Sequence, residues 1–90
     1  MKKTHRELER IVKGFANHKR LQILGLLGKE SELSVQEISD RLKSDVKNIS
    51  AHITKMAIAE LVLKRSDTNF VRHKLTKRGK SILQFVRIIE

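Results

Sequence analysis

The sequence predicts a mainly α domain with one small β-hairpin, in the order four helices, two strands and a closing helix. Three observations lead there. Apolar residues recur at helical spacing in five stretches, each opened by a residue able to cap a helix. The period changes to two only between residues 61 and 75. Four turn formers, Ser66-Asp67-Thr68-Asn69, divide that stretch in its middle.

The first helix is expected from Thr4 to Phe15. Thr4 and Glu7 have the spacing of a capping box, and Leu8, Ile11, Val12 and Phe15 form an apolar stripe. Asn17 can cap a second helix, from about His18 to Gly28, with Gly28 as its stop. Leu21, Ile23, Leu24, Leu26 and Leu27 give it a wide apolar band, as a central core helix needs. Lys29 to Leu33 reads as a loop with a short extended end at Glu32–Leu33. Ser34 and Glu37 then make a second capping box, with Leu33 and Ile38 placed for a hydrophobic staple. Val35, Ile38 and Leu42 point this third helix inward.

After a tight turn at Lys43–Ser44, Asp45 can cap a fourth helix running to Ala59. Ile49, Ile53, Met56 and Ala57 form its apolar stripe. Its other face carries Lys47, Asn48, Ala51, Thr54 and Lys55, all short or cationic and none acidic. Leu61 to Arg65 and Phe70 to Leu75 are the strands of the hairpin, and Lys64, Arg65, Arg72 and Lys74 lie along them. Thr76 can cap the last helix, Lys77 to about Ile89, where Ile82, Leu83, Phe85, Val86 and Ile89 make too broad an apolar band for one side of a terminal helix.

Ninety residues make one domain, 1–90, with a modest core. Twenty Lys and Arg against ten Asp and Glu leave a net charge of +10, which suits a polyanionic partner. The excess is uneven. Residues 1–40 hold eight basic and six acidic side chains, whereas residues 41–80 hold eleven and three. The charge therefore sits on the fourth helix and the hairpin. A helix, a turn of about three residues, a second helix with a small polar outer face and a basic hairpin are the parts of a helix-turn-helix with a wing.

Other chemistry has little support. There is no cysteine, so disulfides, thiolate catalysis and Cys-based metal sites are ruled out. No nucleophile elbow, Gly-rich phosphate loop or paired-carboxylate spacing is present, so no enzyme is expected. Three Phe and no Tyr or Trp disfavour stacking on single-stranded RNA. No apolar run could cross a membrane and MKKTHRELER lacks the apolar core of a secretory signal, so a cytoplasmic protein is expected.

Several segments resemble a known family. Ala16-Asn17-His18-Lys19-Arg20-Leu21-Gln22-Ile23-Leu24 resembles the opening of the second helix of ArsR-type winged-helix repressors. Leu33-Ser34-Val35-Gln36-Glu37-Ile38 is similar to that family's LSVxEL helix start, Ile49-Ser50-Ala51-His52-Ile53 to its VSxHL recognition-helix core, and Glu60-Leu61-Val62 to the GLV before the wing. Leu75-Thr76-Lys77-Arg78-Gly79 resembles the LTxxG that closes the wing in several winged-helix families, MarR-like ones included. The likeness spans roughly residues 11–80. It departs at Lys43 and Glu60, where the family usually has Gly, at Ser44, where it has an apolar residue, and at the wing turn, which has no Gly. Each departure bears on the angle of the recognition helix or the placing of the wing. The family's metal sensors use Cys on an early helix or a His/Asp/Glu set on the last. The first is absent and the second has only Glu90 available, so no metal or other cofactor is expected.

The resulting expectation is a homodimeric regulator of transcription that binds double-stranded DNA. Lys47, Asn48, Ser50, Ala51, His52, Thr54 and Lys55 form its recognition surface. Asn48 is suited to adenine, and the methyl groups of Ala51 or Thr54 to thymine. Lys64, Arg65, Asn69, Arg72 and Lys74 form its wing. Leu8, Ile11, Val12, Phe15, Ile82, Phe85, Val86 and Ile89, on terminal helices 4–15 and 77–89, form its dimerisation layer, with those two helices packed together. Two alternatives stand beside it: a winged helix that binds protein without a DNA site, and a repressor that senses an effector between its terminal helices.

Overall fold

A computed structural model describes residues 2–90. Helix α1 (His5–Phe15) is opened by Thr4, whose hydroxyl accepts from the Glu7 N–H while the Glu7 carboxylate accepts from the Thr4 N–H, both at 3.1 Å. Helix α2 (His18–Lys29) is capped by the Asn17 side chain, which accepts from Lys19 N at 2.9 Å and Arg20 N at 3.2 Å. Helix α3 (Val35–Leu42) repeats the capping box with Ser34 and Glu37. Asp45 caps helix α4 (Val46–Ile58) by accepting from Asn48 N at 3.1 Å. Strands β1 (Val62–Ser66) and β2 (Val71–Leu75) pair antiparallel, and helix α5 (Lys77–Ile89) closes the chain. The expected order of elements is the observed one.

The core lies where α2, α3 and α4 meet the base of the hairpin. Ile23, Leu24, Ile38, Ile49, Ile53, Met56 and Leu61 are buried to 1% exposure or less. Each such side chain stabilises the fold by about 1.5–3 kcal/mol. Of the extended end expected at Glu32–Leu33, only Leu33 is extended: it bridges His73, with Glu32 N donating to His73 O and His73 N to Leu33 O, both at 2.9 Å, while Glu32 itself is left-handed at φ 66°. This adds a fragment of a third strand beside β2.

Two expectations fail for identifiable reasons. Gly28 does not stop α2, which runs on to Lys29. Gly28 is instead a point of close helix packing, because a Cβ there would collide with Leu83 on α5. Nor do the first and last helices pack together as a pair. Helix α1 seats on α2 and α4, and α5 on α2 and β2. Each leaves apolar side chains uncovered, with Val12 49%, Phe85 51%, Ile88 74% and Ile89 65% exposed.

The departures at Lys43 and Glu60 leave the backbone geometry intact. Both residues take the left-handed conformation, at φ 52° and φ 59°. Both end a helix with the same six-to-one bond, from Ser44 N to Ser39 O at 3.0 Å and from Leu61 N to Met56 O at 2.9 Å. A side chain in that conformation costs about 1–2 kcal/mol, while glycine gives back part of the gain through greater freedom in the unfolded chain. Lys43→Gly is therefore expected to stabilise the fold by about 0.5–1 kcal/mol, read from urea midpoints at unchanged slope. A lower midpoint would show that the Lys43 side chain contributes more than its strain costs.

Candidate nucleic-acid interface

Helix α4 is held at both ends. At its start, the Ser39 hydroxyl donates to Ser44 O and Ser44 N donates back to Ser39 O. At its end, the Thr76 hydroxyl donates to Glu60 O at 2.7 Å and Arg78 Nη1 to Ala59 O at 2.9 Å. The helix is thus fixed to α3 on one side and to the first turn of α5 on the other.

Its buried stripe is Ile49, Ile53 and Met56. Ala57, expected in that stripe, is only half-buried. Lys47, Asn48, Ser50, Ala51, Thr54 and Lys55 are all exposed. Among the described residues, no hydrogen bond or ion pair engages the side chains of Lys47, Asn48, Ser50 or Lys55. Thr54 donates its hydroxyl proton to Ser50 O at 3.0 Å, which leaves its lone pairs and methyl available. A row of uncommitted donors, acceptors and methyl groups without a carboxylate matches what a base-pair edge and its phosphates require.

His52 stands at the margin of this row, half-buried between α4 and α2. Its Nδ1 accepts from Arg20 Nε at 3.2 Å, so the proton of the neutral ring sits on Nε2. Arg20, only 9% exposed, also donates from Nη1 to Lys13 O at 2.6 Å, in the last turn of α1. One guanidinium therefore joins the carbonyl end of α1 to α2 and the recognition helix. Sequence reasoning missed Arg20 as a site residue. Its only sign was a cation inside the apolar band of α2, where a buried Arg needs acceptors from elsewhere.

Burial, then the cations Arg20, Lys55 and Lys19, hold the His52 imidazole below its ordinary value of 6.5. Burial does the same to His73, which is 1% exposed and donates from Nδ1 to Leu33 O at 2.8 Å. Unfolded histidines bind protons near 6.5, whereas these two resist protonation when folded. The unfolded state gains protons first as pH falls, so stability is full above that value and declines below it. The melting temperature should thus drop between about pH 7.5 and pH 5.5. A constant value across that interval would contradict the assigned environments.

The hairpin register pairs Lys64 with His73, Arg65 with Arg72 and Leu63 with Lys74. Lys64 consequently points to the face that carries His73, and Arg65, Arg72 and Lys74 point to the other. Arg65 binds the Glu32 carboxylate at 2.6 Å. Arg72 binds Asp67 at 2.8 Å and Glu32 O at 3.1 Å, lies 4.0 Å from Glu37 and covers the Phe70 ring at 5.5 Å. The hydrogen bond from Arg72 holds the Asp67 carboxyl below its usual range. Asp67 also closes the turn that has no Gly, its N–H donating to Phe70 O and its side chain accepting from Thr68 N, both at 2.7 Å. Lys64, Lys74 and Asn69 are exposed, and among the described residues neither lysine has an ion-pair partner.

Residues 17–64, just over half of the chain, match the bacterial regulatory protein arsR family. The chain belongs to the ArsR family. This is a family of winged-helix DNA-binding transcriptional regulators, and the order α1-α2-α3-α4-β1-β2-α5 is its fold. The ArsR-family chain is 30% identical to HlyU from Vibrio cholerae, covering 99% of this chain and 97% of that one with a TM-score of 0.84. NolR from Sinorhizobium fredii is 26% identical over 94% of this chain and 85% of its own, also with a TM-score of 0.84. A homodimeric winged helix-turn-helix DNA-binding domain from Mycobacterium bovis, 23% identical, shares the fold with a TM-score of 0.86 over 94% of this chain and 79% of its own. A search of the curated proteins found no significant match to the sequence. Among the described residues of this ArsR-family chain, no cluster of His, Asp and Glu could hold a metal ion, and no helix is long and apolar enough to cross a membrane.

Proposed function

We propose that the protein regulates transcription in the cytoplasm as a homodimer that reads a specific duplex sequence, acting as a binding protein and not as a catalyst. The observation that carries this is the outer face of α4. Its side chains are exposed and free of carboxylates and, among the described residues, uncommitted apart from the Thr54 hydroxyl, on a helix held at both ends. Asn48, Ser50, Ala51 and Thr54 would meet base edges in the major groove, and Lys47 and Lys55 the phosphates on either side. His52 would offer its Nε2 proton to a phosphate while Arg20 fixes the ring. In the wing, Lys64, Asn69 and Lys74 are the ready contacts. Arg65 and Arg72 would reach phosphates only by releasing Glu32 and Asp67, so their first role is to hold the wing in shape.

The exposed apolar side chains of the terminal helices support the dimer. Val12, Phe85 and Ile89 belong to the expected layer, and Ile88 extends it. Leu8, Ile11, Phe15, Ile82 and Val86, half-buried on the same two helices, would complete their burial there. A two-fold dimer would present two α4 helices to half-sites about 34 Å apart, one turn of duplex.

Selection of bound sequences from random duplex at about 150 mM salt tests the reading. A recovered pseudo-palindrome with that spacing is the expected result. Sequence-blind binding that disappears near this salt concentration would instead favour a protein-interaction module.

A further inference from the structure

We propose that the cavity between α2, β2 and α5 binds a small amphiphilic organic anion, a carboxylate with a short apolar body. The cavity is open to solvent and measures about 610 Å³, within the usual range for small-molecule sites. Its apolar lining comes from Leu27 on α2, Leu75 on β2 and Leu83 on α5, and its cations are Lys74, Lys80 and Arg87. No Asp or Glu lines it.

What marks this place on a basic surface is that unpaired cations converge on one apolar concavity, whereas Arg41, Arg65, Arg72 and Arg78 each have a carboxylate within 4.0 Å. Among the described residues, none of the three cavity cations has one, although they converge on one concavity from two elements. Three like charges over an apolar floor repel one another until an anion sits between them. Gly28 deepens the floor: Arg87 Nη2 lies 3.6 Å from where a Cβ of that residue would stand.

The lining selects the ligand class. With no carboxylate or imidazole, it cannot hold a metal ion. Leu27, Leu75 and Leu83 belong to the core and are 3%, 5% and 7% exposed, so the apolar floor they present is narrow and suits a short hydrocarbon body next to the charged head. By their spacing on a helix of 3.6 residues per turn, Lys80, Leu83, Gln84 and Arg87 share one face of α5, with Ile82, Phe85 and Ile89 of the proposed dimer layer opposite it and Ile88 flanking it beside Gln84.

Calorimetry with octanoate below its micelle concentration tests the proposal, with inorganic sulfate and octylammonium as probes of charge alone and of chain alone. Octanoate should saturate with a Kd of about a millimolar or below. Sulfate should bind more weakly and octylammonium not at all. Lys80→Gln with Arg87→Gln should weaken octanoate at least about tenfold; neither residue belongs to the proposed DNA surface. Methyl NMR on the unmodified protein gives a second readout, with the shifts expected at Leu27, Leu75 and Leu83. No saturable binding, equal binding of octylammonium or sulfate, unchanged affinity in a folded double variant, or methyl shifts elsewhere would each overturn it.

Discussion

Gly79→Ala should destabilise the protein by about 3 kcal/mol and lower its melting temperature by about 15 °C. The reason is contact, not backbone freedom. Gly79 lies in the first turn of α5, where its N–H donates to the Thr76 hydroxyl at 2.9 Å. A Cβ on it would collide with the carbonyl oxygen of Leu61. That oxygen cannot move away cheaply, because it accepts from Thr76 N at 3.0 Å, and Leu61 itself is fully buried. Relief would have to separate the first turn of α5 from the segment that leads α4 into the wing. The same turn supplies the bonds of Thr76 and Arg78 to the end of α4, so the recognition helix would loosen as well. A thermal melt decides the matter, and a shift of only a degree or two would mean that the contact between Leu61 and α5 yields easily.

Asn48→Ala should cost roughly 1–3 kcal/mol of affinity for the preferred duplex and relax preference at one base pair of each half-site. The Asn48 side chain is exposed and has no hydrogen-bond partner among the described residues, so its truncation breaks no such bond in the fold. Lys55→Ala should behave differently. It should weaken preferred and random duplexes alike and reduce the slope of log affinity against log salt by about one unit. Titrations of both variants on a selected and a scrambled duplex, over a range of salt, separate base reading from phosphate contact. If Asn48→Ala lowered affinity for both duplexes equally, Asn48 would be a phosphate ligand and the proposed register of α4 in the groove would be wrong.

Elements whose signals are local were legible in the sequence. All five helix starts follow from a side-chain oxygen placed to accept from the first turn, and each cap is present. The hairpin followed from its change of period. The exposed row on α4 followed from spacing alone, because the buried stripe fixes what must face outward. What stayed hidden were long-range contacts. Gly28 looks like a helix stop until Leu83 is brought against it. Arg20 looks like one more surface cation until α1 and His52 surround it. The carboxylate partner of the wing's Arg65 is equally out of sight, because Glu32, thirty-three residues before it, folds back beside it. The resemblance placed Gly where Lys43 and Glu60 stand, and that backbone position was right even though the residue type differed.

The division of the hairpin's cations between its two faces has a consequence for how it could lie on a polyanion. A ribbon charged on one side settles flat against a single wall. Here Lys64 projects to one side and Lys74, with the anchored Arg65 and Arg72, to the other. Such a blade suits a slot with negative walls on both sides, as the paired sugar-phosphate rails of a minor groove provide. Depth of entry would then be limited by the blunt tip at Asp67, whose carboxylate is tolerable there only while Arg72 remains bound to it.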